Sequence, residues 1–105
     1  MKVLSDKEHR DLDARVAIRC LGWKPPERTD ANPDGEGLWP SYSTSIAAAW
    51  ILTDRLGEFT LHRLADDVWE CESDFSEFYG IGPSVEVAIC RAAIDRVTVN
   101  DSEAE

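Results

Sequence analysis

A chain of 105 residues, 43% of them hydrophobic and four of them tryptophan, has room for one domain with one core. No apolar run approaches the roughly 20 residues that a bilayer span requires. The net charge of −10 repels nucleic-acid phosphates and lipid headgroups, which argues against direct nucleic-acid binding and membrane docking and leaves solubility or attraction to a basic protein surface as its uses.

The first helix is predicted to begin at Ser5, because Ser5 and Glu8 have capping-box spacing and Asp6 and Glu8 place negative charge at the positive end of the helix dipole. Leu12, Val16 and Cys20 then step along one face, with Ala17 and Leu21 beside them, and His9 is expected on the exposed side. Gly22 stops the helix, and Trp23 is expected to fold back onto the core. Residues 24–41, KPPERTDANPDGEGLWPS, hold four of the five prolines and read as a long irregular loop. Within it Asp30, Asn32, Asp34 and Gly35 match the first half of a calcium loop, but Ser41 stands where the closing glutamate should be, so the motif reads as an Asx-rich turn. Trp39, next to Pro40, is expected to lie over the core.

The run Tyr42 to Gly57 reads as the central helix, capped by Ser43 and ended by Gly57, with Ile46, Ala49, Trp50, Thr53 and Leu56 on its buried stripe. After it, FTLHRLADDVWECESD alternates as a strand pair. A three-residue loop at Ala65, Asp66 and Asp67 puts Phe59, Leu61, Trp69 and Cys71 on one face and Thr60, His62, Glu70 and Glu72 on the other, with His62 opposite Glu70; a two-residue loop mixes apolar and charged groups. Asp74 to Ile81 is expected to form a short third strand or an extended cover. Pro83 and Ser84 open a last, broadly buried helix that carries Val85, Ile89, Ala92, Ala93 and Val97 and contacts both the sheet and another helix. Its one out-of-place residue, Arg91, is expected to meet Glu86, Asp95 or a sheet carbonyl, with an anionic ligand as the alternative. The acidic end, 100–105, is expected to be a disordered tail, so the single domain covers 1–99.

Consecutive strands close as hairpins, so the fold class is α+β: a small antiparallel sheet of two or three strands with three helices packed on it. Three segments, Leu21-Gly22-Trp23, Pro40 with Tyr42-Ser43-Thr44 and the following Ile46 to Trp50, and Ala88 to Ala93, resemble the phage ABA sandwich domain family in sequence and order. The resemblance implies a helix/sheet/helix layered sandwich in a protein of a bacteriophage or prophage, made in the cytoplasm of the bacterial host, and it brings no catalytic residues to carry over. Residues 24–38 depart from it, being more acidic and proline-rich.

The chain's own chemistry agrees with that silence. Three cysteines, an odd and scattered set, suit a reducing compartment, and the start MKVLSDKEHRD lacks the apolar core of a secretion signal. Cys20, Cys71 and Cys90 fall on faces assigned to the core, away from either histidine, and neither a nucleophile elbow, a phosphate-cradling loop nor a histidine pair at metal spacing occurs. The expectation is a non-enzymatic protein without cofactor or metal that binds a basic protein partner, a host factor or a defence component, through Asp30, Asp34, Glu36, Trp39, Asp66, Asp67, Glu70 and Glu72. The alternatives are a homo-oligomeric structural component that buries Phe75, Phe78 and Tyr79 between subunits, and a metal-assisted hydrolase built on the hairpin acids.

Overall fold

The computed structural model describes residues 2–23, 39–74 and 77–103. Helix α1 (Asp6–Arg15) starts where the sequence places it, with the Glu8 N–H donating to the Ser5 hydroxyl and the Ser5 N–H to the Glu8 carboxylate, both at 3.2 Å. It runs on into a π-helical turn (Val16–Cys20), and Gly22, at φ 73°, ends it. Trp23 does not enter the core: 46% of it is exposed, and its ring meets Trp39 edge-on at 6.0 Å. Trp39 is half-buried and packs against the core, as expected.

The second helix is shorter than Tyr42 to Gly57 and is interrupted. It comprises α2 (Ile46–Ile51) and α3 (Thr53–Leu56), with Leu52 between them donating its N–H to the Ala49 carbonyl at 2.9 Å. Ser45, not Ser43, is the cap, accepting from the Ala48 N–H, because Ser43 is committed to α1. The later start and the break select Ala49, Leu52 and Leu56 for burial. Ile46 and Trp50, expected on the inner stripe, are 48% and 53% exposed, and Trp50 packs edge-on against Phe59 instead. Gly57, at φ 74°, ends this helix as expected.

Strands β1 (Phe59–Ala65), β2 (Val68–Ser73) and β3 (Tyr79–Gly82) form an antiparallel sheet in that order. His62 pairs with Glu70 and Leu61 with Cys71, the register that a three-residue loop predicts. The turn itself holds only Asp66 and Asp67, and a bulge between Arg63 and Ala65 absorbs the extra residue. The bulge thus keeps the apolar residues on one face despite the shorter turn. The third strand is shorter and later than Asp74 to Ile81, and residues 75 and 76 lie outside the described residues.

Helix α4 (Val85–Glu103) has its first turn capped by the Ser84 hydroxyl and extends through Glu103, so helix occupies part of the stretch expected to be a disordered tail. Val87 to Cys90, Ala92 and Ala93 are all buried, which fits a helix enclosed on every side. It packs against β2 and β3 on one side and against the π-helical turn, α2 and α3 on the other. This is an α+β sandwich of three helices and a three-stranded antiparallel sheet. Among the described residues no helix is long and apolar enough to cross a membrane.

The contact between α4 and β3 is backbone to backbone. A Cβ at Gly80 would overlap the Ala88 carbonyl oxygen and the Ala92 nitrogen, and one at Gly82 would overlap the Val87 side chain. The free edge of β3 is closed by the same helix: the Tyr79 N–H donates to Asp95 Oδ2 at 2.9 Å, and Arg91 Nη1 donates to the Ile81 carbonyl at 2.8 Å. Arg91 therefore meets a sheet carbonyl, one of the structural partners expected for it.

Gly80→Ala should destabilise the protein by about 3 kcal/mol or more in chemical denaturation, because neither backbone can yield without moving the other. A loss below about 1 kcal/mol would mean that the two elements are not this close. Arg91→Met, which removes a charge-assisted hydrogen bond, should cost about 1.5–3 kcal/mol in the same measurement.

Candidate functional site

Two groups of polar side chains invite a functional reading. The first lies between α1 and the turn before α2. Asp13, on the inner face of α1 and buried, accepts the Ser43 backbone N–H at 2.8 Å. His9 Nδ1 meets the Ser43 Oγ at 2.8 Å, and that hydroxyl also donates to the His9 carbonyl at 3.3 Å. His9 is therefore half-buried and partnered, not on the exposed side as expected, because the 42–44 turn folds across it. A serine, a histidine and an aspartate side by side resemble a hydrolase triad, but the connections differ. The carboxylate holds a backbone N–H where a triad needs it on the imidazole, and Ser43 is only 1% exposed. A recess of about 240 Å³ there is lined by Val3, His9, Ser43, Thr44, Ser84 and Glu86. The group is a tether: it satisfies buried polar atoms while holding the 42–44 turn to the first helix.

The thiols are equally unsuited to catalysis. Cys20, Cys71 and Cys90 are buried and free. Burial pushes all three up, Cys71 from its ordinary 9.0 to about 11 and Cys90 further, so each is a neutral thiol at physiological pH.

The second group is the outer face of the sheet, opposite α4. Side chains paired across antiparallel strands share a face, so Thr60, Glu72 and Tyr79 form one row and His62, Glu70 and Ile81 the next. His62, Glu70 and Glu72 each bring a ligand atom within 4.8 Å of the others. The Tyr79 hydroxyl donates to Glu70 Oε2 at 2.7 Å, and this bond is the main reason the phenol is pushed above its ordinary range. Thr60 donates to Asp74 at 2.8 Å at one end of the face. At the other end Asp66 reaches back to Arg63 at 3.0 Å and stays fully open to water.

Of the residues expected at the contact surface, the fold brings together Glu70 and Glu72, and it places Asp66 and Asp67 at the adjoining hairpin tip. Trp39 stands apart, against the core and Trp23. Asp30, Asp34 and Glu36, together with the partial calcium motif, lie outside the described residues, as does Phe75. Phe78 is buried within its own chain, so it is not available to an oligomer interface. Sequence reasoning missed Tyr79 as a partner of Glu70, because the pairing of β2 with β3 has no tight-turn signal to fix it. It also missed Asp13 and Ser43. Their signal was the spacing of Asp13, which stands three residues before Val16 and four before Ala17 and so falls on the buried face, as Asp11 does not.

Arg91 was the other candidate for ligand binding. A recess of about 280 Å³ between α1 and α4 is lined by Glu8, Asp11, Arg15 and Arg91, so two carboxylates already face two guanidiniums there.

The model of the phage ABA sandwich domain matches residues 14–94. A phage protein from Bacillus cereus ATCC 14579, known from its crystal structure, superposes with a TM-score of 0.63 over 91% of this chain and 99% of its own. At 20% identity this is a likeness of fold. No curated protein matches the chain.

The thiols supply a test. In the native state a thiol-specific chromogenic disulfide at pH 8 should leave all three cysteines unmodified, and denaturant should expose three equivalents. A folded-state pKa above the unfolded value holds stability that is lost on the alkaline side, so the melting temperature should fall as pH rises from 9.0 to about 11. Rapid labelling of folded protein would contradict the burial.

Proposed function

The chain belongs to the phage ABA sandwich domain family, and from that premise we propose that it is a non-enzymatic bacteriophage accessory protein that binds a basic protein surface. The observation that carries this reading is the outer face of the sheet. Among the described residues, the helix packed on the sheet, α4, lies against the side of Gly80 and Gly82, and the face turned away holds Glu70 and Glu72, with Asp66, Asp67 and Asp74 at its ends. A net charge of −10 steers a basic partner toward the molecule at long range, and carboxylates held on a rigid sheet give the encounter a place to end. The buried thiols and the tethered Ser43 favour binding over chemistry. In a bacterial cytoplasm, a host factor or a defence component with a basic face fits this description.

A second reading, a homo-oligomeric component, draws on the opposite edge of the sheet. The outward N–H and C=O groups of Phe59, Leu61 and Arg63 on β1 have no partner among the described residues, whereas on β3 the Tyr79 N–H and the Ile81 carbonyl are bonded by α4. A metal-assisted hydrolase ranks last, since the recesses described above open on the helical side.

The test is affinity capture from bacterial lysate with the wild type and with the variant Asp66→Asn/Asp67→Asn/Glu70→Gln/Glu72→Gln. A protein retained at low salt, released as salt rises, and bound at least about tenfold more weakly by the variant once purified is the expected result. Capture indifferent to both salt and substitution would remove the proposal. Light scattering that shows a dimer at micromolar concentration would favour the second reading.

A further inference from the structure

We propose that His62, Glu70 and Glu72 form a binding site for a divalent transition-metal ion, zinc being the best fit, on the outer face of the sheet. The geometry holds whether or not a protein partner docks there. Glu70 and Glu72 alternate along β2 and so project from the same side, while His62 on β1 stands directly opposite Glu70. Hydrogen-bonded strands fix the three backbone positions. The ligand atoms already lie within 4.8 Å of one another, and the two exposed side chains, His62 and Glu72, have the freedom to close further. Zinc bound at about 2.0–2.2 Å to nitrogen and oxygen in a tetrahedral site needs its ligands about 3.4 Å apart, which small torsional changes supply.

The donor set narrows the choice of ion. One imidazole with two carboxylates suits zinc and its first-row neighbours, whereas magnesium and calcium take oxygen ligands. Tyr79 adds orientation: by donating to Glu70 Oε2 it leaves the other oxygen of that carboxylate for the metal. Remaining coordination positions face water, so the site binds an ion without enclosing a substrate. The hairpin register sets His62 opposite Glu70 with Glu72 on the same face, and the third strand adds the Tyr79 hydroxyl on Glu70.

The test titrates zinc alone into the full chain against a chromophoric indicator, with cobalt as spectroscopic substitute. The expected result is one equivalent bound with micromolar affinity and a cobalt spectrum free of thiolate charge-transfer bands. His62→Ala and Glu72→Gln should each weaken binding more than tenfold, and Tyr79→Phe about tenfold. Asp54→Asn, which removes an exposed carboxylate elsewhere, should leave affinity unchanged, and circular-dichroism melts should show all four variants folded. Absence of binding at millimolar zinc would overturn the site. So would affinity kept in His62→Ala, which would mark diffuse attraction to a charged surface, or a thiolate band, which would place the metal on cysteine.

Discussion

The fold depends on how closely the third strand approaches the last helix. Gly80 lies against the backbone of α4 at Ala88 and Ala92, a separation that leaves no room for a single methyl group between them. Both partners must be small for this to happen, and both are. With the strand this near, Arg91 and Asp95, one turn apart on α4, reach past it and bond the outward carbonyl of Ile81 and N–H of Tyr79. An edge that would otherwise invite another strand is closed by the helix that fixes it.

Burial of α4 on every side follows from the same contact. The sheet covers one flank, and Val16, Ala17, Cys20, Ala49, Leu52 and Leu56 cover the other. Polar side chains inside this assembly are accounted for: Asp13 and Ser43 satisfy each other across two elements, and no buried side-chain nitrogen or oxygen among the described residues lacks a partner. A buried cluster with catalytic-looking members thus has a structural explanation, since leaving the Ser43 N–H unbonded would cost about 1–3 kcal/mol.

Much of this was legible in the sequence where the signal is local. The Ser5 capping box, the stops at Gly22 and Gly57, the hairpin register and the Ser84 cap all rest on residues a few positions apart, and each appears in place. The misreadings share one cause. Ser43 looks like a cap and Trp50 like a core residue only if the second helix is isolated; contacts with α1 take Ser43, move the start to Ile46 and turn Trp50 outward. The run that reads as central packs on α4 through a narrow stripe. The broadly buried last helix carries the centre of the fold, and the reason lies in glycines that the sequence gives no cause to connect with it.

The two faces of the sheet obey different rules, and this bears on where function resides. On the α4 side, glycine and cysteine occupy the middle of β3 and β2 because packing leaves no alternative. On the outer side no described helix packs, and β-branched or alternating-charge residues would serve strand stability better. The chain instead places Glu70 and Glu72 on one side of one strand, where their charges repel, and sets a histidine across from them and a tyrosine hydroxyl on Glu70. Like charges on one side of a strand cost it stability. The positively charged ligand proposed above, an ion or a basic protein surface, would offset that repulsion, and the strand register fixes the backbone positions of those carboxylates before any ligand arrives.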